Sequence, residues 1–255
     1  MRKYLDLIWL RGIGALKADT KQSYLGMLWW ILEPLLMAAL FYLAFASGVR
    51  GGGQSGSSFV YFLLTGLFPF KWTASALTAS SNSLINSKGI LGQTYLPKWI
   101  FPSVANLTAL IRFAFVFPLM LLLVIMGGYE PTSDWLSIVN VILCQILFNL
   151  SISFFLAATV PLIPDLTHVV PLIVMAMMFT SGIFFDISER PEEIQAILRL
   201  NPFVTILEGY RDVLLHGRTA NLSALVYPFI ASISAFAAGI ALLIRFDRYY
   251  PRALP

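Results

Sequence analysis

Long, almost uncharged apolar stretches limit most strongly what this chain can fold into. A helix needs about 20 mostly apolar residues to cross the roughly 30 Å hydrocarbon core of a bilayer. Six stretches meet this requirement, at residues 27–47, 59–84, 101–126, 135–160, 167–185 and 222–245. Since unpaired backbone polar groups are costly in hydrocarbon, each stretch is predicted to be a helix. The predicted fold class is an all-α integral membrane protein with six transmembrane helices.

The composition excludes a soluble domain. Only 12% of the 255 residues are charged and 58% are hydrophobic, whereas a soluble domain carries about 25% charged residues. The net charge of +4 does not indicate nucleic-acid binding, because the basic residues are spread among short connections. Cys144 is the single cysteine, which excludes an intrachain disulfide and a cysteine-cluster metal site.

The basic residues predict the orientation in the membrane. They are concentrated in the N-terminal segment, the second connection and the tail, at Arg2, Lys3, Arg11, Lys17, Lys21, Lys88, Lys98, Arg245, Arg248 and Arg252. The long connection 186–218 is net negative. The positive-inside rule therefore places both termini in the cytoplasm, as an even number of spans requires.

Two further segments have helical patterns without being spans. Residues 4–17 place their apolar side chains near one face, which predicts that residues 1–23 include an amphipathic helix at the cytoplasmic interface. Residues 186–218 carry two helical patterns separated by Asn201 and Pro202. They predict two short amphipathic helices on the outer surface that partly re-enter the membrane.

Three charged residues lie within the apolar stretches and are candidates for function, because a charge at bilayer depth costs about 2.5–3.5 kcal/mol on insertion scales. Glu33 could instead lie at the interface, and Arg112 could extend its side chain toward water. Lys71 is near the middle of its stretch, and we expect it to face a watery cavity or a subunit interface.

The second stretch has a patterned surface. Tyr61, Thr65, Phe68 and Trp72 share one helical face and could form an aromatic ladder for sugars, or could be ordinary interfacial aromatics. The small residues Ser75, Ala79 and Ser83 repeat every four positions, which predicts close helix approach on that side.

The sequence contains none of the common nucleotide-binding, catalytic or metal-binding motifs. There is no Walker motif, no G-x-S-x-G elbow and no metal-ligand spacing. Asp165 and His168 are three residues apart and could form an acid–base pair, but a helix-start carboxylate with a nearby polar residue is the favoured interpretation. No catalytic or metal-binding residue is predicted, and the chain is not expected to be an enzyme.

Four motifs occur in order along the chain. They are YLGMLWWILEPLL at 24–36, FLLTGLFPF at 62–70, NSKGILGQTYLPKWIFP at 86–102 and LNPFVTILEGYRDVLL at 200–215. Together they resemble the ABC-2 type permeases that export polysaccharides, which include O-antigen, capsular polysaccharide and teichoic acid transporters. The resemblance covers nearly the whole chain and implies a single ABC-2 transmembrane domain over 1–255.

This resemblance implies a subunit of the bacterial cytoplasmic (inner) membrane that works as a homodimer with two ATPase subunits. Those partners would bind ATP and Mg²⁺, and this chain would need no cofactor. It implies a coupling segment at 85–100 that contacts the ATPase, and gate helices within 186–218. By this resemblance, the residues expected to contact the ATPase are Lys88, Gln93, Tyr95, Leu96 and Pro97. The residues expected in the gate helices are Pro191, Ile194, Leu198, Pro202, Glu208, Tyr210 and Arg211.

The predicted function is ATP-driven export of a lipid-linked polysaccharide through a channel between two copies. The predicted channel residues are Tyr61, Thr65, Phe68, Lys71 and Trp72. Lys71 departs from the family pattern, where an apolar or aromatic residue is common, and could contact an acidic sugar, a lipid pyrophosphate or a neighbouring helix. Alternatives are export of teichoic acid, a drug or a lipid, an ion-coupled transporter, and a membrane transferase.

Overall fold

The described part of the chain is built from α-helices and short 3-10 turns. A computed structural model describes residues 2–21, 24–46, 56–91, 93 and 95–250, and no strand occurs among them. The α-helices are α1 (Arg2–Lys21), α2 (Leu28–Ala46), α3 (Gly56–Ser81), α4 (Lys88–Leu91), α5 (Ile100–Met126), α6 (Ile138–Thr159), α7 (Leu166–Thr180), α8 (Glu192–Leu198), α9 (Pro202–Leu214) and α10 (Leu222–Arg245). The all-helical prediction is confirmed for these residues.

Each predicted apolar stretch coincides with one helix, namely α2, α3, α5, α6, α7 and α10. Among the described residues, Ile100–Met126, Ser133–Thr159 and Leu222–Arg245 are long and apolar enough to cross a bilayer. Leu28–Leu43 and Leu166–Thr180 are apolar but shorter. The helix α3 is long, but Lys71 and several hydroxyl residues lower its apolar character. Six membrane crossings therefore stay a prediction.

The fifth stretch ends earlier than predicted, at Thr180 rather than residue 185. Gly182 has a positive φ of 71° and redirects the chain there, a conformation that other residues rarely adopt. A Cβ atom at this position would lie 2.8 Å from the side chain of Ile187. The end of the first stretch, at residue 47, lies outside the described residues.

Apolar side chains cover much of the outer surface of the bundle. Within its most apolar window, only 28% of the residues of α5 are buried inside the protein, and 22% of those of α10. Leu122, Ile173 and Ile230 are among the exposed large side chains. A water-soluble surface would not carry apolar patches of this extent, so these faces are suited to lipid.

The helix α3 is the centre of the bundle and packs against α2, α5, α6, α7 and α9. The helix α10 packs closely along α6. Their backbones approach at Gly239, where a Cβ atom would lie 2.7 Å from the backbone nitrogen of Phe155. The pair α6–α10 is therefore a closely packed unit beside α3.

The two termini of the described chain lie at the same end of the bundle. Tyr4 of α1 makes an edge contact with Trp99, with ring centroids 5.9 Å apart. Asp247, after α10, accepts a hydrogen bond from Tyr95. At the other end, the Tyr61 and Tyr129 rings are 5.5 Å apart. A common side for both termini is what the even number of predicted spans requires.

The predicted N-terminal helix is present as α1, and it rests on α5. Ile8, Gly12 and Leu16 form its buried face, and Gly12 allows the approach because a Cβ atom would lie 3.1 Å from the side chain of Leu107. Trp9 stays 57% exposed. The predicted apolar face is therefore divided between α5 and the surroundings.

The two predicted helices of 186–218 are present as α8 and α9, but only α8 lies on the surface. The apolar face of α9 is buried against α3, α6 and α10. Its fully enclosed residues include Phe203, Ile206, Leu207 and Val213. The strongly amphipathic pattern of α9 lets one face enter the bundle, and re-entry of the two helices into the membrane stays a prediction.

Candidate functional site

Two adjoining cavities lie between α1, α2, α3 and α5. Their volumes are about 320 and 290 Å³, and Ser75, Ala109 and Arg112 line both of them. They therefore form one continuous groove, which we call the α3–α5 groove. It extends from Glu33 and Lys71 at one end to Arg11 at the end near α1.

Glu33 and Lys71 pair across the groove. Lys71 Nζ donates to Glu33 Oε1 over 2.5 Å, and the two side chains are 27% and 60% exposed, respectively. Two of the three charges found within the apolar stretches thus neutralise each other, which lowers the cost of placing charge in an apolar helix. Lys71 faces a cavity, as one of the two predicted environments requires.

Arg112 lies at the junction of the two cavities and pairs with α1. Its Nη2 is 2.9 Å from Asp19 Oδ2, and its guanidinium lies 5.6 Å from the centroid of the Trp30 ring. The Trp30 indole N–H donates to the same Asp19 oxygen over 3.3 Å. This cluster joins α1, α2 and α5, and Asp19 is a member that the sequence did not indicate.

The predicted channel residues separate into two groups. Phe68, Lys71 and Trp72 line the groove, and the Trp72 ring stacks on Phe113 with centroids 4.3 Å apart. Tyr61 packs at the far end of α3, and the Thr65 hydroxyl is fully buried and donates to the Tyr61 carbonyl over 2.9 Å. A channel role for these residues stays a prediction.

The small residues Ser75, Ala79 and Ser83 line the groove between α3 and α5, and the close helix approach predicted for them stays a prediction. On a neighbouring face of α3, Ala76 is fully buried and its carbonyl accepts from the Ser153 hydroxyl over 3.4 Å. The small residues therefore widen the groove.

A buried polar network joins α3, α6 and α9. The Gln145 amide donates to the Pro69 carbonyl over 2.8 Å and to the Thr73 hydroxyl over 2.9 Å. The Tyr210 hydroxyl donates to the Gln145 Oε1 atom over 2.8 Å. Gln145 was not among the residues predicted from the sequence, although a glutamine within an apolar stretch is a usable signal, because a buried amide needs partners.

The predicted gate residues differ in burial. On and beside α8, Pro191 and Ile194 are exposed and Leu198 is half-buried. Pro202 begins α9, where the Asn201 side chain accepts from the Phe203 N–H over 3.0 Å. This cap explains why the helix starts at Pro202.

Two charged side chains of α9 make contacts that hold the helix in place. Glu208 lies 3.6 Å from Arg199 in an ion pair. Arg211 is buried, lies 3.5 Å from the centroid of the Phe62 ring and donates to the Phe62 carbonyl over 3.4 Å. The side chains of Tyr210 and Arg211 thus hold α9 against α3 and α6, which leaves α8 as the exposed part of the predicted gate.

The predicted coupling segment contains a short helix, α4, followed by an irregular stretch; residues 92 and 94 lie outside the described part. Lys88, Gln93 and Tyr95 are exposed, whereas Leu96 and Pro97 are half-buried. The hydrogen bond to Asp247 raises the pKa of the Tyr95 hydroxyl above its ordinary value. An exposed face on a fixed segment is suited to docking, and docking itself stays a prediction.

No cluster of three or more potential metal ligands occurs within the ranges that the structure describes. The arrangement offers a groove with paired charges and hydroxyls, a fixed inner helix and an exposed connecting segment. Such an arrangement can bind and guide a polar solute beside apolar surface.

Comparison with known proteins identifies relatives over most of the chain. The family described as ABC-2 type transporter matches residues 14–215. The O-antigen export system permease protein RfbA of Klebsiella pneumoniae is 27% identical over 228 residues, which cover 89% of this chain and 86% of the relative. RfbA of Myxococcus xanthus is 27% identical over 83% of this chain and 81% of its own length. The polysialic acid transport protein KpsM of Escherichia coli is 26% identical over 86% and 84%, respectively.

Proposed function

The chain belongs to the ABC-2 type transporter family, and from this premise we propose that it is the channel-forming subunit of an ATP-driven exporter of lipid-linked polysaccharide. The observation that carries the substrate class is similarity over more than four-fifths of the chain to proteins named for O-antigen export and polysialic acid transport. O-antigen or capsule-type polymers are the substrates that these names favour.

In this proposal α2, α3, α5, α6, α7 and α10 cross the cytoplasmic membrane, with both termini in the cytoplasm. The helix α3 can cross despite Lys71, because that charge is paired and faces the groove rather than lipid. The basic residues near α1, α4 and the end of α10 support the cytoplasmic assignment of that end.

The α3–α5 groove contributes to the polymer path of a homodimer. Its hydroxyls, at Ser75, Thr78 and Thr108, can exchange hydrogen bonds with successive sugars. Phe68 and Trp72 offer apolar surface beside them. Because such contacts recur along a polymer, the path can carry many repeats without selecting one sugar closely.

Energy comes from two partner ATPase subunits, which bind ATP and Mg²⁺ and dock on the coupling segment. Tyr95 and Leu96 are the proposed contacts, one exposed and the other half-buried. The role of this chain is mechanical, and no covalent step takes place on it. The complex, rather than this subunit, is the translocase.

A second candidate, ion-coupled transport, is favoured by one observation, the Glu33–Lys71 pair within the groove. A proton or cation could exchange at such a pair. The polysaccharide proposal is preferred because it also accounts for the coupling segment and for the relatives.

The test is complementation in cells that make a polymer but lack their export permease and ATPase. Expression of this chain together with a candidate ATPase subunit should restore polymer at the cell surface. A chain with Tyr95→Ala and Leu96→Ala should restore less, since the proposed docking contacts are lost. Restoration without any ATPase subunit would refute the proposal.

A further inference from the structure

Asp247 lies just beyond α10 and contacts the coupling segment. Its Oδ2 atom accepts a hydrogen bond from the Tyr95 hydroxyl over 2.9 Å, and its Oδ1 atom is 3.3 Å from Lys98 Nζ. Lys98 Nζ also lies 4.6 Å from the centroid of the Tyr95 ring. We call Tyr95, Lys98 and Asp247 the tail clamp.

The tail clamp is more than a surface ion pair, because the side chain of Lys98 is only 3% exposed. A buried ammonium group requires a counter-charge, and removing that partner leaves an uncompensated charge. Asp247 is the partner that satisfies this requirement, and its second oxygen binds Tyr95. The position of Asp247 is thereby fixed by two contacts of different kinds.

The contacts around the tail clamp extend to α6. The Tyr250 hydroxyl donates to the carbonyl of Ala158, near the end of α6, over 3.0 Å. Leu96 packs against a small apolar cluster that contains Phe154, Leu243 and Tyr250. The end of the coupling segment, the end of α6 and the residues after α10 therefore form one packed unit.

We infer that Asp247 is a positioning residue that transmits movement of the coupling segment to the α6–α10 pair. Chain connectivity joins this segment to α3 and α5. The tail clamp adds a second route, through Asp247 to α10 and through close packing to α6, and such contiguous contacts can carry coupling between sites. The inference rests on the proposed ATPase docking.

Three variants separate the charge from the other contacts. Asp247→Asn keeps an oxygen that can accept from Tyr95 but removes the counter-charge of Lys98. Asp247→Lys combined with Lys98→Glu reverses the pair and restores the attraction. Arg248→Gln removes a charge from the exposed neighbouring residue and serves as the control.

The experiment measures amide hydrogen exchange of each protein in lipid nanodiscs with its ATPase subunit, without nucleotide and after trapping with ATP and vanadate. In the native complex, trapping should change exchange in residues 150–159 and 236–250. Asp247→Asn should reduce this change by at least about fivefold, the lower end of typical coupling between sites. The reversed pair should recover it, and Arg248→Gln should match the native chain.

The outcomes separate the inference from the proposal on which it rests. A native chain that recruits no ATPase subunit would overturn both. A native-like response of Asp247→Asn, or no recovery in the reversed pair, would overturn the inference alone. If Asp247→Asn alters exchange in residues 150–159 and 236–250 equally with and without nucleotide, Asp247 only stabilises the fold. This result also overturns the inference.

Discussion

Glu33 of α2 and Lys71 of α3 form an ion pair across the α3–α5 groove, although 38 positions separate them in the sequence. Each charge alone is unfavourable in an apolar helix, and the pair explains how the chain accommodates them. The pair is partly exposed rather than sealed, because Glu33 is 60% exposed and Lys71 is 27% exposed.

The pair predicts non-additive effects of substitution. Glu33→Gln and Lys71→Met should each lower the thermal stability of the purified protein in detergent, because each leaves one charge unpaired. The double variant should lose less unfolding free energy than the two single variants lose together, and the difference should be about 1 kcal/mol. Strict additivity would show that the two residues do not interact.

The positions of the helices could be predicted from the sequence, because length and apolar character decide where a membrane helix forms. The pairings could not, since Glu33–Lys71 and Asp19–Arg112 join residues that only the packed fold brings together. The burial of α9 could not be predicted from the sequence either, because an amphipathic pattern does not say whether protein or lipid covers the apolar face of a helix.

The close approach of α6 and α10 predicts that Gly239→Ala destabilises the bundle. The added methyl group would lie 2.7 Å from the backbone nitrogen of Phe155, and overpacking of this kind typically costs about 1–3 kcal/mol. Gly14→Ala in α1 is the control, since no atom lies within 4 Å of the added group. Thermal unfolding of the two variants should separate them, and equal stability would contradict the observed packing.

The buried polar network of Gln145, Thr73 and Tyr210 predicts that Tyr210→Phe lowers the free energy of unfolding. The change leaves the buried Gln145 Oε1 atom without its donor, which costs about 1–3 kcal/mol. Tyr227→Phe is the matched control, because that exposed hydroxyl donates to the Leu200 carbonyl over 2.7 Å and water can replace it. Chemical denaturation that shows the same loss for both variants would argue against a buried network.

The raised pKa of Tyr95 predicts a pH-dependent contact. Its neutral hydroxyl donates to Asp247, so the folded-state pKa lies above the unfolded value. The contribution to stability is complete below the unfolded pKa and is lost as the pH rises through the folded pKa. Tyrosinate absorbance of the native chain minus that of Tyr95→Phe should show one group that titrates above its ordinary range. In Asp247→Ala the same difference should return to that range, and an unchanged titration would contradict the contact.

The most direct measurement of the proposed function uses inverted membrane vesicles that contain this chain, its ATPase subunit and lipid-linked polymer made by the host. Addition of ATP should move polymer into the vesicle lumen, where it is protected from added glycosidase. Transfer should stop with an ATPase variant that binds but cannot hydrolyse ATP, and should persist when ion gradients are collapsed. Transfer that continues without ATP hydrolysis and stops when the ion gradients are collapsed would contradict the proposed function.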